Sequence, residues 1–127
     1  ITPKLFDYDA AWHESIADLD SPNMIVGTFN YMAPEVWYGV TNDPRSDIYA
    51  AGIVLYKLLV KHFPFVANNK EGIMNAHLAS KIQDATRLNP SVSRKMQSVL
   101  EKATAKDPEK RYQTAEEFKR DYLQAVK

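Results

Sequence analysis

The sequence predicts a mainly α-helical domain, in which one buried central helix is preceded by a long irregular segment. Residues 47–60 are apolar on every side of a helix, which is typical of a helix that other elements enclose. Residues able to cap a helix start recur downstream at Asn69, Ser93 and Thr114. Residues 10–32, in contrast, are polar and hold no sustained period, as in functional or mobile segments of this length.

The composition is that of an ordinary globular domain and excludes several classes of function. The 127 residues are 45% hydrophobic and 25% charged. Sixteen basic and sixteen acidic residues cancel, so no charge excess predicts binding to nucleic acid or to an anionic membrane. The chain has no cysteine, which excludes disulfides and thiolate metal sites and fits a cytoplasmic location. The central apolar run is short and contains Lys57, so we expect no membrane segment in this chain.

The first part of the chain predicts little regular structure. Residues 1–7 form a short apolar run with a proline near its start, which favours an edge strand. Pro34 suits the first turn of a short helix over residues 35–38, and Gly39 is expected to end that helix. Residues 40–44 contain the Asn-Asp-Pro of a turn.

The central helix is expected to begin at Asp47 and to be buried all round. A carboxylate at that point complements the helix dipole and can accept backbone N–H bonds. One face carries apolar residues at helical spacing: Ile48, Ala51, Gly52, Leu55, Leu58 and Leu59. The other faces are apolar as well, through Ala50, Ile53, Val54 and Tyr56. Residues 62–65, His-Phe-Pro-Phe, stop the helix because proline cannot continue it.

Two further helices are predicted from a cap followed by periodic apolar positions. Asn69 can cap a helix over residues 70–80, and residues 83–92 are expected to form a loop. Ser93 can cap the next helix. The apolar face of that helix consists of Met96, Val99, Leu100 and Ala103.

A capping box predicts the last helix. Residues 106–108, Lys-Asp-Pro, end the preceding helix, and Thr114 with Glu117 has the spacing of the reciprocal cap. The prediction is therefore a domain of about five helices, led by an irregular loop. Composition and periodicity alone predict no function for it.

Three segments, in register along the chain, resemble protein kinases. Residues 27–35, Gly-Thr-Phe-Asn-Tyr-Met-Ala-Pro-Glu, are similar to the end of a kinase activation segment. Residues 45–56 are similar to the central helix of the kinase large lobe, and residues 105–112 to the kinase segment that carries a late arginine. The best match is with eukaryotic-like Ser/Thr kinases, bacterial ones included. The resemblance covers essentially the whole chain but only the second half, the C-terminal lobe, of a kinase domain.

The resemblance implies a division of the chain into three parts. Residues 1–9 would hold a strand and the remnant of a metal-binding motif, residues 10–35 the activation segment, and residues 36–127 the helical subdomain. Asp47 would hold the backbone of the catalytic loop; the alternative is that it only caps its helix.

Glu35 and Arg111 are the residues that form a largely buried ion pair in the family. Such a pair would pin the activation segment to the lobe, and an Arg–carboxylate contact can be bidentate. Its role would be structural, and the alternative is two unrelated surface charges of almost no energetic value. Thr28 occupies the family position whose hydroxyl contacts the catalytic Asp and Lys and helps to shape the substrate loop; the alternative is an ordinary loop threonine.

Asp7-Tyr8-Asp9 stands where the family has Asp-Phe-Gly. Asp7 would then bind the Mg²⁺ that bridges the ATP phosphates, with solvated carboxylates at a strand end as the alternative. Asp9 in place of glycine removes backbone freedom and adds a charge beside the metal, which indicates altered geometry or a weak or inactive parent. Ser15, Ser21 and Thr28 are candidate phosphorylation sites, since a phosphate can order such a loop.

The implied activity of the intact parent is transfer of the ATP γ-phosphate to Ser or Thr of a protein substrate, with ATP and Mg²⁺ as cofactors. The chain shows no Gly-rich loop, strand lysine or His-Arg-Asp loop, so we expect it to be inactive alone and to hold neither cofactor tightly. Without the covering elements, the isolated chain is expected to self-associate through its lobe face, to exchange elements between copies, or to rearrange its N-terminal third. The alternatives are a degenerate kinase-like regulatory or binding module without catalysis, and an unrelated helical interaction domain.

Overall fold

A computed structural model of the chain describes residues 29–127, which contain no strand. The described helices are α1 (Pro34–Trp37), α2 (Pro44–Val60), α3 (Lys70–Ala79), α4 (Ala85–Leu88), α5 (Arg94–Ala103) and α6 (Ala115–Ala125), with a 3-10 turn at Pro108–Lys110. The mainly α fold class is confirmed. The strand expected over residues 1–7, and the irregular segment up to residue 28, lie outside the described residues. No helix between residues 29 and 127 has the length and apolarity needed to cross a membrane.

Helix α2 lies between two groups of buried apolar side chains. The larger group joins α2 to α4, α5 and α6, and its members from α2 are Ile48, Leu55, Tyr56 and Val60. The smaller group joins Tyr49 and Ile53 of α2 to Ala33, which precedes α1. Tyr31, Val36 and Phe63 pack against this second group. Since α2 contributes to both groups, the predicted buried central helix is confirmed.

The burial of α2 is not complete on all sides, which corrects the expectation of a uniformly buried helix. Leu58 is 43% exposed. Lys57 and Asp47 are exposed as well, whereas Ala51 and Val54 are only partly buried. Among the described residues, the packed helices cover two sides of α2 and leave this strip uncovered.

Helix α2 begins at Pro44 rather than at Asp47. Its N-cap is Asp43, whose side chain accepts a hydrogen bond from the Arg45 backbone N–H at 2.9 Å. Pro44 fits the first helical position because the N–H that it lacks would have no partner there. Asp47 therefore lies in the first turn and is not the N-cap.

The other helix starts follow local side-chain chemistry. Asn69 accepts from Gly72, and Ser93 accepts from Met96, as predicted. The capping box of Thr114 and Glu117 is complete in both directions. These bonds satisfy backbone donors that have no partner inside the helix.

The short helix α4 lies inside residues 83–92, which were expected to be loop. Asp84 caps it by accepting from the backbone N–H of Thr86 at 3.0 Å. The Thr86 hydroxyl also donates to Asp84, at 2.6 Å. Ala85 brings α4 into the core, where it is fully buried. One turn of helix is too short to show a period, so only the cap could have indicated it.

Gly52 sets how closely α5 approaches α2. A Cβ atom at this position would lie 2.8 Å from Cγ2 of Thr104 and 2.9 Å from Cβ of Ala103. Both distances are shorter than real Cβ contacts, so any side chain here must push the end of α5 away. The loop that follows α5 is therefore held close to α2 by the absence of a side chain.

Replacing Gly52 by alanine tests this packing, and the sign of the effect is diagnostic. Helix propensity alone would stabilise Gly52→Ala by about 1 kcal/mol. We expect instead a loss of about 1–3 kcal/mol in the free energy of unfolding by urea, because the methyl group overpacks the contact. Thr104→Ser removes the closest methyl and keeps the hydroxyl that donates to Leu100, so the double variant should recover part of the loss. A gain in stability for Gly52→Ala would contradict the close approach.

Candidate functional site

The central feature of the site is a bidentate ion pair between Glu35 of α1 and Arg111, which follows the 3-10 turn. Nη1 of Arg111 lies 2.6 Å from Oε2 of Glu35, and Nη2 lies 2.7 Å from Oε1. The two residues are 76 positions apart in the sequence. The Arg111 side chain has 0% relative exposure and that of Glu35 has 12%. The contact expected between these residues is therefore present, and it is buried.

Every N–H group of Arg111 has an acceptor. Besides the two bonds to Glu35, Nε donates to the carbonyl of Ala105 at 2.6 Å. Nη1 donates to the carbonyl of Arg45 and Nη2 to that of Lys106, each at 3.1 Å. A guanidinium has five N–H donors and cannot lose its charge, so a buried one needs this complete set of acceptors.

The Glu35 carboxylate is held in its ionised form. Partial burial alone would raise the pKa of Glu35, but hydrogen bonds from Arg111 and Ser46 outweigh that effect and lower it. The Ser46 hydroxyl donates to Oε2 at 2.5 Å. Ser46 lies in the first turn of α2, so the pair is attached to the start of the central helix as well as to the late loop.

A second, more exposed group of charges surrounds Arg45. Its Nη2 lies 2.8 Å from Oδ2 of Asp43, and its Nη1 lies 3.0 Å from Oε1 of Glu109. The Arg45 side chain is 23% exposed and that of Glu109 is 77% exposed. Solvent-exposed pairs contribute little each. Their effect here is to align the start of α2 with the 3-10 turn, a contact that sequence reasoning missed.

Tyr49 connects the ion pair to α3. The centroid of its ring lies 4.9 Å from Cζ of Arg111, and its hydroxyl lies 2.6 Å from Nδ1 of His77. Tyr49 is fully buried, and burial raises the pKa of its hydroxyl. The hydroxyl therefore keeps its proton, which favours donation to Nδ1 of a neutral imidazole.

His77 is a buried histidine that stays neutral. Burial lowers its pKa to about 4, and the nearby charge of Lys106 contributes, whereas the backbone of Asn30 opposes the shift. Phe65 packs edge-on against its ring with centroids 5.0 Å apart. Its Nε2 is buried and makes no hydrogen bond of ordinary geometry with the described residues. Protonating this ring would therefore place a charge in an apolar setting beside a lysine.

Of the remaining sequence-predicted site residues, Asp47 lies in the described part of the chain. Asp47 is exposed on the first turn of α2. Asp7, Thr28, Ser15 and Ser21 lie outside the described residues. Within residues 29–127 there is no group of three His, Asp or Glu side chains that could hold a metal ion.

The comparison with known proteins identifies the family. The protein kinase domain family matches residues 2–123 of the chain. The chain belongs to this family. Its kinase relatives include the serine/threonine-protein kinase PrkC of Bacillus subtilis, which is 38% identical over 118 residues, or 93% of this chain and 18% of the relative.

Two other kinase relatives have similar levels of identity. The serine/threonine-protein kinase PknB of Mycolicibacterium smegmatis is 35% identical over 99 residues, 78% of this chain and 16% of the relative. The tyrosine-protein kinase MasK of Myxococcus xanthus is 36% identical over 115 residues, 91% of this chain and 18% of the relative. The chain thus spans less than a fifth of the length of these kinases. Family membership rules out the unrelated helical interaction domain.

Breaking the Glu35–Arg111 pair from one side should be costly. We expect Glu35→Gln to lower the free energy of unfolding by about 3–5 kcal/mol, because the Arg111 guanidinium stays buried without a counter-charge. Glu109→Gln is the matched control: it removes an exposed partner of Arg45 and should cost at most about 1 kcal/mol. Urea unfolding of the three proteins measures both effects. Equal losses for the two variants would mean that the buried pair is worth no more than a surface one.

The neutral state of His77 predicts an acid-sensitive stability. The folded pKa of about 4 lies below the ordinary value of 6.5, so the unfolded chain binds more protons between these pH values. Stability is therefore fully present above pH 6.5 and lost as the pH falls towards 4. At about 1.4 kcal/mol per pKa unit, the loss amounts to about 3 kcal/mol. We expect His77→Gln to flatten this part of the pH profile of stability, with His62→Gln, at an exposed histidine, as the matched control substitution.

Proposed function

We propose that the chain is the C-terminal-lobe part of a Ser/Thr protein kinase, which transfers the γ-phosphate of ATP to Ser or Thr of a protein substrate. The observation that carries the proposal is the buried Glu35–Arg111 pair, in which the glutamate of the Ala-Pro-Glu segment is bound by a fully paired arginine. Phosphoryl transfer depends on positioning. A pair that anchors the end of the activation segment to the helical lobe supplies part of that positioning.

Each part of the chain has a proposed role in this kinase. Residues 36–127 form the helical subdomain, and residues 10–35 form the activation segment, which Glu35 attaches to the lobe. Thr28 is proposed to contribute the hydroxyl of the substrate loop. Asp47, exposed on the first turn of α2, is proposed to hold the backbone of a catalytic loop from another part of the kinase.

ATP and Mg²⁺ are the cofactors of the proposed activity. Asp7, within residues 1–9, would hold Mg²⁺, because carboxylate oxygen is the ligand type that this ion prefers. Mg²⁺ would neutralise charge on the phosphates when it is bound. Asp7 lies outside the described residues, so its assignment rests on this chemistry and on its place in the motif. A protein that uses ATP in this way fits the cytoplasm.

A second candidate function is a degenerate kinase-like module that binds or regulates without catalysis. The observation that favours it is Asp9, which replaces the glycine of the family motif. An aspartate there restricts the backbone and places a second charge beside the proposed metal ligand. Asp7, Thr28 and the Glu35–Arg111 pair favour the catalytic candidate instead.

The isolated chain should behave differently from the kinase that contains it. It lacks the Gly-rich loop, the strand lysine and the His-Arg-Asp loop, so we expect no phosphoryl transfer by residues 1–127 alone. The uncovered strip of α2 that includes Leu58 should promote self-association of the isolated chain, because apolar area remains in water. Light scattering that shows a monomer would count against this second expectation.

The test of the proposed function uses the full-length protein with radiolabelled ATP and a general protein substrate. We expect Mg²⁺-dependent labelling on Ser or Thr, shown by phosphoamino-acid analysis, and a loss of about a hundredfold or more for Asp7→Asn. Asp20→Asn, at another acidic residue of the N-terminal part, serves as the control. A folded full-length protein that shows no transfer would favour the degenerate module. Labelling on Tyr alone would overturn the proposed acceptor.

A further inference from the structure

Lys106 lies beside the Glu35–Arg111 pair in an unusual setting for an amine. Its Nζ is 4.7 Å from the centroid of the Phe65 ring and 5.9 Å from that of Tyr49. The one acceptor within hydrogen-bond distance among the described residues is the carbonyl of Ala76, at 3.4 Å. No carboxylate of the described part of the chain forms a salt bridge with it. The side chain is partly buried, so the amine is desolvated without being sealed from solvent.

The charges around Lys106 favour loss of its proton. Arg111 is a permanent cation. Two of the Arg111 N–H groups already bind the carboxylate of Glu35, so this carboxylate is not available to pair with Lys106. From α3, His77 presents a neutral ring, and from α2, Tyr49 presents a protonated hydroxyl. Burial and then the charge of Arg111 lower the pKa of Lys106 to about 8. Loss of the Lys106 proton therefore relieves the repulsion between the two neighbouring cations.

We propose that Lys106 is a nucleophilic amine that is acylated by activated carboxyl donors, such as acyl phosphates and thioesters, at neutral pH. The lone pair of the neutral amine attacks the carbonyl carbon of the donor and a C–N bond forms. The bond from that carbon to the phosphate or thiolate breaks, and the leaving group takes the electron pair. The amine proton passes to water, and the product is an amide. The donor supplies the activated carboxyl group, so no other reactant is needed.

Acylation at this position would act on the buried ion pair. The carbonyl of Lys106 accepts one of the Arg111 N–H bonds, so the modified residue belongs to the loop that surrounds the guanidinium. The amide carries no charge and so removes the repulsion with Arg111. It also removes the cation from the faces of Phe65 and Tyr49. The modification therefore changes both the electrostatics and the packing of that loop, and its chemistry does not depend on ATP turnover.

Lys57 provides an internal control for the proposal. Its Nζ lies 4.2 Å from the centroid of the Phe63 ring, so it also faces an aromatic side chain. Unlike Lys106, it is exposed. A difference in reactivity between the two lysines therefore reports desolvation and the neighbouring Arg111, rather than contact with a ring. Lys119 is a second control, exposed on α6.

The test is competitive trace acetylation of the folded full-length protein, with site-resolved mass spectrometry. Deuterated acetic anhydride labels the protein at a series of pH values, and unlabelled reagent completes the reaction after denaturation. At pH 7.5 we expect Lys106 to take up about tenfold more label than Lys57 or Lys119. The larger fraction of neutral amine at Lys106 raises its acetylation rate, whereas the lower basicity of this amine makes it a weaker nucleophile and offsets part of that increase. Labelling of Lys106 should reach half its maximum near pH 8.

Two further measurements make the result decisive. Phe65→Leu opens the site to water and should raise the pH at which Lys106 labelling reaches half its maximum, with circular dichroism as the check on folding. Acetyl phosphate in place of the anhydride should modify Lys106 first, and Lys106→Arg should abolish that product. Lys106 labelling that is equal to or slower than that of both controls at every pH in the folded protein would overturn the proposal, as would loss of the difference with acetyl phosphate.

Discussion

The burial of one charge, the Arg111 guanidinium, constrains the arrangement of the described chain. A buried guanidinium must have all five N–H groups paired, since it can neither lose its proton nor reach water. The acceptors come from α1, from the first turn of α2 and from the loop after α5. Moving any one of these three segments would leave a donor or the charge uncompensated. The position of the Ala-Pro-Glu segment against the kinase lobe is therefore constrained by the Arg111 charge as well as by the apolar contacts of Ala33 and Val36.

Helix α2 makes that arrangement possible because its faces make different contacts. Tyr49 lies under the guanidinium, whereas Gly52, less than one turn further along, has no side chain and admits the end of α5. The loop that carries Ala105 and Lys106 follows directly after α5. Close packing at Gly52 thus delivers two of the five acceptors to Arg111. Core packing and the ion pair are consequently coupled, so a substitution that disturbs one of them should also weaken the other.

The parts of this fold that the sequence predicts are those with local causes. Caps at Ser93 and Thr114 depend on residues three positions apart, so the pattern contains the whole interaction. The contact of Glu35 with Arg111 was accessible only through the resemblance to kinases, because no local pattern links residues so far apart. The misplaced start of α2 had a readable signal, the Asp43-Pro44 pair, which fits a cap followed by the first helical position. The Tyr49–His77 hydrogen bond had no signal in the sequence, because it depends on how α3 packs against α2.

Arg111 and Lys106 show why two cations in one loop are not equivalent. Arg111 binds both oxygens of the Glu35 carboxylate, because the planar fork of an arginine can do so while three other donors reach backbone carbonyls. Lysine has a compact charge and can lose its proton, so it can occupy the remaining, partly dry space between Phe65 and Tyr49. Exchanging the two residue types would place a neutralisable amine opposite Glu35 and a permanent charge against the rings. The buried pair would then lose its geometry, and the amine would face a carboxylate that favours its charged form.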